Sequence, residues 1–238
     1  MKILSAKQVQ KVDQFTIENE PIPSIDLMER AANAFVNIFF ELVSPHKKVA
    51  VVSGRGNNGG DGLAIARLLI ERNYEVDVFA IQKEKKASED FTVNEERLQG
   101  LAEVKNIADE DSIPDFGKYD VLIDGMFGSG LSRPVEGLYA DVINKMNSSN
   151  ASIVAIDIPS GVFADEPSKK GAIVKARHTI TFQLPKLALL LPENQDFVGQ
   201  WHVVDIGLSE KAIANQDTSY RYITDESVRK MIKKRGKF

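Results

Sequence analysis

Residues 49–62 constrain this chain more than any other stretch. Val49-Ala50-Val51-Val52 is a short, wholly apolar run, and it opens onto Ser53-Gly54-Arg55-Gly56-Asn57-Asn58-Gly59-Gly60-Asp61-Gly62. An apolar run without alternation suits a strand covered on both faces. The five glycines in residues 54–62 leave backbone N–H groups bare and permit unusual dihedrals. Leu63, Ile65, Ala66, Leu68, Leu69 and Ile70 then support a helix ending near Asn73, and residues 76–81 form the next strand. Strand, turn, helix and strand make a βαβ unit, which demands a parallel sheet.

The flanking chain continues the pattern. Ser5-Ala6-Lys7-Gln8 has the S-x-x-Q form of a capping box, so 5–19 reads as a helix. Pro21 and Pro23 break it, and Ser24 is positioned to cap a second helix that Pro45 ends. Downstream, 89–102 reads as a helix and 104–107 as a short strand. Strands 120–124 and 152–157 each end in a carboxylate, with a glycine-rich loop at 125–137 and a helix at 138–147 between them. Strands near 178–182 and 201–205 follow, and Thr224 to about Lys234 reads as a capped basic helix. The expected fold class is α/β, with a mainly parallel central sheet, helices on both faces and two N-terminal helices packed against it. At 238 residues, one α/β domain with small appendages fits best.

Composition excludes several chemistries. With no cysteine there is no disulfide, thiolate zinc site, iron–sulfur cluster or cysteine nucleophile. The three histidines, His46, His178 and His202, are far apart in sequence and read as structural or packing residues. A net charge of −4 and a pI near 5.5 argue against a nucleic-acid partner. No apolar run reaches the roughly 18 residues of a membrane span, so no membrane partner is expected. Met1-Lys2-Ile3-Leu4-Ser5 passes straight into polar sequence, unlike a signal peptide, and the expected address is cytoplasmic.

In open parallel sheets, ligands sit outside the carboxyl ends of the strands. Three loops, 53–62, 124–134 and 157–165, begin at such ends, and they converge on one crevice if their strands are neighbours. Gly54, Gly56 and Gly59 formally match G-x-G-x-x-G, yet Ala80-Ile81-Gln82 end the second strand without the acid of an ordinary dinucleotide fold. No Gly-Lys-Ser/Thr follows, so this is not a P-loop either. The loop can hold phosphate on its amides and the helix N-terminus, with Asp61 as the helix N-cap, or be a tight turn with no ligand. Asp124 and Asp157 can divide acid and base roles if their environments separate their pKa values. Alternatively, Asn58, Asp124 and Ser160 can surround a hard cation as oxygen ligands. The residues alone leave that choice open. Arg133 and Lys186 can meet phosphate or stay solvated.

Taken together, Gly56-Asn57-Asn58-Gly59-Gly60-Asp61-Gly62, Asp124 with its glycine-rich loop, and Asp157-Ile158-Pro159-Ser160-Gly161 resemble the YjeF N-terminal family, the NAD(P)H-hydrate epimerases. Leu27-Met28-Glu29-Arg30-Ala31-Ala32 upstream also fits, and the resemblance spans roughly residues 5–222. It implies a Rossmann-like three-layer αβα sandwich over 1–222, with 223–238 a basic C-terminal helix or connector. The implied enzyme interconverts the R and S forms of hydrated NADH or NADPH, so that a dehydratase can restore the cofactor. Substrate would be held by Asn57, Asn58, Gly59, Gly60 and Asp61, by Gly128, Ser129, Gly130, Leu131, Ser132, Arg133 and Pro134, and by Asp157. Asn58, Asp124 and Ser160 would ligate one potassium ion, K+.

The chemistry expected is loss of a hydroxyl from a carbon next to the ring nitrogen and return of water to the opposite face. Asp124 is the expected acid–base residue, with Asp157 positioning or assisting. The resemblance also implies a homodimer and a C-terminal ADP- or ATP-dependent dehydratase, fused or separate, which residues 234–238 would precede as a connector. Two other readings compete: a non-catalytic ligand-binding or protein-interaction module on the same fold, and an ordinary dinucleotide-dependent oxidoreductase. The intact Asn-Asn-Gly-Gly-Asp turn disfavours the first, and the missing strand-end acid disfavours the second.

Overall fold

The structure, a computed structural model, describes residues 1–81, 86–168 and 170–232. The helices are α1 (Ala6–Asn19), α2 (Ser24–Leu42), α3 (Asn57–Ile70), α4 (Glu89–Arg97), α5 (Leu138–Asn147), α6 (Gln195–Val198), α7 (Glu210–Ala214) and α8 (Asp225–Met231). The strands are β1 (Lys48–Ser53), β2 (Glu75–Ile81), β3 (Val104–Ile107), β4 (Val121–Gly125), β5 (Ser152–Ile156), β6 (His178–Phe182) and β7 (Gln200–Val204). All seven strands join one sheet in the order β3-β2-β1-β4-β5-β6-β7, and every pairing is parallel.

Burial on both faces explains the unbroken apolar runs. Along β1, Val49 and Val51 point into the core that holds α2, α3 and α4, while Ala50 and Val52 point into the core that holds α5. All four are fully buried, as a strand between two helical layers requires. α2 lays Leu27, Ala31, Phe35 and Phe39 on the first of these cores. At the other edge of the chain, Lys2 Nζ donates to the carbonyls of Ile213, Ala214 and Gln216 (3.2, 2.6 and 2.7 Å), placing a cation on the C-terminal end of α7. The capping box on α1 is formed: Gln8 N–H donates to Ser5 Oγ (3.3 Å) and Ser5 N–H to Gln8 Oε1 (3.0 Å).

Several local expectations need correction. Ser24 does not cap α2; Pro23 holds that position, and Ser24 Oγ donates instead to Asp90 Oδ2 at 2.8 Å, joining α2 to α4. α4 stops at Arg97 rather than 102, because Gly100 turns the chain at φ 82°. Asp61 is not an N-cap. α3 begins at Asn57, with Gly56 as its cap, so Asp61 lies inside the helix. The C-terminal helix is capped by Thr224, whose Oγ1 accepts from Ser227 N–H at 3.2 Å; the basic residues 233–238 fall outside the described residues. Among the described residues, no helix is long and apolar enough to cross a membrane.

The chain order reverses between β1 and β4. Their register sets Val52 beside Asp124 and Ser53 beside Gly125 at the carboxyl end of the sheet. The loops after β1 and β4 diverge from this point, which leaves a crevice between them.

Candidate active site

The crevice is a cleft of about 920 Å³. Its walls come from the glycine-rich turn and α3, the loop after β4, Asp157 after β5, Phe182 and Lys186 after β6, Ile206 and Leu208 after β7, and Val9, Gln10 and Asp13 of α1. The three loops picked out at strand ends do meet. Gly54 N–H donates to Gly125 O at 3.2 Å, and Phe127 N–H donates to Ser160 Oγ at 2.9 Å.

The glycine-rich turn is built by close approach. A Cβ on Gly59 would lie 1.9 Å from Gly54 O, and one on Gly54 would lie 2.3 Å from Met126 O. Only bare backbone lets α3 start so close to the sheet. The N–H groups of Asn57, Asn58 and Gly59 belong to the helix's first turn, where no intrahelical acceptor exists. Asn57 and Asn58 line the cleft, so this helix end offers it unpaired donors and a positive dipole end. Gly59 and Gly60 do not line it; both are buried, and a Cβ on Gly60 would sit 3.0 Å from Met28 Sδ. Gly128, Ser129, Gly130, Leu131, Ser132, Arg133 and Pro134 all line the cleft, as does Asp61.

Asp124 lies beneath this wall. It is fully buried, and Ser160 N–H (2.7 Å), Ser160 Oγ (2.6 Å) and Met126 N–H (3.2 Å) donate to its two oxygens. Burial pushes its carboxyl up to about 6, against the pull of those hydrogen bonds. The expected acid–base residue is thus absent from the residues that line the cleft. Asn58 lies nearby: a Cβ on Gly128 would come 3.1 Å from its Oδ1, and its buried Nδ2 has no partner.

Asp157 has backbone φ 63°, the left-handed region that Asp tolerates better than most residues. Its carboxylate accepts from Thr181 Oγ1 (3.0 Å), Phe182 N–H (3.2 Å) and the Lys186 ammonium. Lys186 is 2% exposed and also donates to Phe182 O at 2.9 Å. By sequence Lys186 reads as a phosphate contact or a solvated lysine; in the structure it is the buried half of an ion pair.

Four further lining residues are not singled out by sequence reasoning. Tyr139 packs on Phe127 with ring centroids 4.6 Å apart, an aromatic pair on the cleft wall. Arg55 stacks over Phe91 at 4.9 Å, and its Nη1 is buried without a partner. Asp13 is the fourth. Its only hint is its place in the apolar stripe of α1, one turn beyond Val9 and next to buried Val12. Away from the cleft, His202 Nε2 and His178 Nδ1 are 3.4 Å apart across β6 and β7, and burial holds both imidazoles below their ordinary values.

The family model described as "YjeF-related protein N-terminus" matches residues 24–188. The chain belongs to this family. Family resemblance extends well beyond the matched segment. The NAD(P)H-hydrate epimerase of Weissella koreensis is 36% identical over 213 residues, covering 90% of this chain and 95% of that protein. That of Oenococcus oeni is 38% identical over 208 residues, covering 87% and 97%. The bifunctional NAD(P)H-hydrate repair enzyme Nnr of Thermofilum pendens is 32% identical over 232 residues, covering 96% of this chain but 44% of that longer protein. The crystal structure of yeast ynu0, YNL200c, superposes with a TM-score of 0.75 at 19% identity, covering 95% of this chain and 98% of that one, so the fold is shared.

Proposed function

We propose that this chain is an NAD(P)H-hydrate epimerase, interconverting the R and S forms of hydrated NADH or NADPH. The curated relatives that match nearly its full length carry that name. The observation that carries the reading is a single cleft that combines an unpaired helix N-terminus, made for phosphate, with three carboxyls from three elements, made for proton transfer.

In this reading the diphosphate of the substrate lies on the first turn of α3, beside Asn57 and Asn58. The loop 128–134 covers the dinucleotide, and Phe127 with Tyr139 supplies an aromatic wall. At the hydrated ring, the hydroxyl leaves with its bonding electrons, the ring nitrogen lone pair forms a C=N bond, and water returns to the other face. An acid must protonate the departing oxygen and a base must take a proton from the water. The carboxyls that line the cleft are Asp13, Asp61 and Asp157.

Asp124, Ser160 and Asn58 are hard oxygen donors clustered under two glycine-rich loops, a donor set that fits potassium. Asp124 and Ser160 would hold the ion together with the Asn58 amide oxygen. When bound, potassium supplies a positive charge beside a buried carboxylate. Asp124 then braces the loops rather than moving protons. A cytoplasmic setting, a homodimer and a dehydratase partner, fused or separate, belong to the same reading.

The test is chromatography of purified R and S hydrates of NADH and NADPH after incubation with the chain, with and without potassium. Either hydrate is expected to reach the equilibrium mixture much faster than in buffer. Interconversion at the buffer rate under both conditions rejects the function.

A further inference from the structure

We infer that Asp13, on α1, is a catalytic residue of the epimerisation, exchanging a proton with the substrate oxygen in partnership with Asp61. The inference rests on the epimerase reading above. Asp13 lies outside the segment that the family model matches. It enters the cleft from a different element than the strand-end loops, on the α1 face that also carries Val9 and Gln10 to the cleft wall.

Three observations converge on it. The carboxyl is half-buried on the cleft wall, where an amphipathic helix ordinarily places an apolar residue. Among the described residues, no group donates a hydrogen bond to it and no cation pairs with it within salt-bridge distance. With no protein partner, its oxygens are open to whatever occupies the cleft. Finally, the charged groups that act on it are Lys186 and Asp157, the buried ion pair, and Asp61, which lines the same cleft. Burial pushes Asp13 up to about 6; Asp157 adds to the rise and Lys186 opposes it. Both protonation states are therefore accessible near neutral pH, as a proton-transfer group needs.

Asp61 is the matching partner. It lies in α3, a different element from Asp13, it lines the same cleft half-buried, and among the described residues no hydrogen bond ends on its carboxyl. Asp157 is less suited, because Thr181, Phe182 and the Lys186 ammonium all donate to its Oδ1 and hold the carboxylate in an ion pair. Inversion at carbon needs one group for each face of the ring. In one direction, protonated Asp61 gives its proton to the leaving hydroxyl. The C–O bond breaks, its electron pair stays on the oxygen, water departs and the ring nitrogen lone pair makes the C=N bond. Water then adds to the opposite face, the C=N pair returns to nitrogen, and ionised Asp13 takes the released proton. In the reverse direction the two carboxyls exchange roles. The proton count is conserved in both directions, with no oxidant, reductant or second substrate.

The experiment compares wild type, Asp13→Asn, Asp13→Ala and Asp13→Glu on purified R and S hydrates across pH 5–9. Loss of a proton-transfer group is expected to lower kcat by about 100-fold or more in the Asn and Ala variants, with KM changed by less than about threefold. Asp13→Glu keeps the carboxyl and is expected to recover part of the rate. The limb of the wild-type profile near pH 6 is expected to vanish in Asp13→Asn. Added formate is expected to restore part of the Asp13→Ala rate, a result that a purely structural role does not produce. If Asp13→Asn retains at least about a third of the wild-type kcat and the same pH limb, the assignment to Asp13 is wrong while the epimerase reading stands. An inactive wild type overturns both. Thermal unfolding of each variant shows whether it is folded, and formate rescue decides the matter even for a destabilised one.

Discussion

Replacing Lys186 with methionine removes a buried ammonium while keeping a chain of similar length. In the folded protein that ammonium bonds the Asp157 carboxylate and Phe182 O, and the side chain is 2% exposed. Breaking a buried pair by deleting one partner costs about 3–5 kcal/mol, because the other charge stays buried without compensation. Here Asp157 keeps two donors, Thr181 Oγ1 and Phe182 N–H, so the loss is expected near the lower end, about 3 kcal/mol. For a chain of 238 residues, that is a fall of about 6–12 °C in Tm. Urea unfolding is the assay, read at constant slope so that only the midpoint moves. Asp157→Asn should be similarly costly, since it strands the ammonium, while asparagine tolerates the same left-handed backbone. The double variant Lys186→Met/Asp157→Asn should recover about 2 kcal/mol relative to the sum of the singles. A Lys186→Met cost below about 1 kcal/mol, with additive singles, refutes the view that this pair is buried and strongly coupled.

The remaining predictions concern pH and close approach. Asp13 holds its proton more tightly in the folded state, at about 6 against an ordinary 3.8. Its contribution to stability is therefore full below about pH 4 and is lost as pH rises through about 6. Asp13→Asn should remove that loss, gaining about 1–2 kcal/mol at pH 7.5 once partial solvent screening is counted; urea midpoints that track wild type across pH 4–8 contradict it. His178 and His202 have the opposite sign: both are held below 6.5, so their contribution is present above that pH and is lost on acidification. His202→Gln should flatten the acid side of the Tm profile, and an unchanged slope below pH 6.5 counts against the pairing. Gly59→Ala drives a methyl to 1.9 Å from Gly54 O and should cost about 3 kcal/mol, whereas Gly56→Ala meets nothing within 4 Å and should cost under about 1 kcal/mol. Equal midpoints for these two variants would overturn the account of the turn.

Much of the fold was legible because buried parallel strands leave a plain mark. Val49–Val52, 121–123 and 153–156 are apolar runs without alternation, and all lie in the sheet between two helical layers. The start of α3 was harder to read. Glycine is a poor helix former, so Gly59, Gly60 and Gly62 resemble loop, yet they are helical because backbone packs where side chains would collide. Asp61 therefore reads as a cap in sequence and becomes a cleft residue once the helix starts earlier. Tertiary packing outweighed local propensity at that one turn.

The site divides along the same physical line. In a parallel sheet, chain direction alone sends every βα loop to one edge, so Asn57, Asn58, residues 128–134 and Asp157 could be gathered from the ends of apolar runs without knowing a single contact. No such rule governs α1. A lone aspartate on an amphipathic helix reads as solvated until the helix is docked, and α1 docks so that Asp13 turns toward the cleft instead of bulk water. Lys186 misleads for the same reason, because a lysine near a strand end looks like a surface charge until Asp157 is seen beside it. Asp124 also ends a strand, but Ser160 and Met126 donate to it and it is fully buried, so strand-end position alone does not put a carboxylate on the cleft wall. Strand-end position therefore selects which residues approach the site, and packing decides which of them meet the ligand. Among the described residues, Asp13 and Asp61 are the cleft carboxyls to which no protein group donates, which is why the proton exchange is proposed for them.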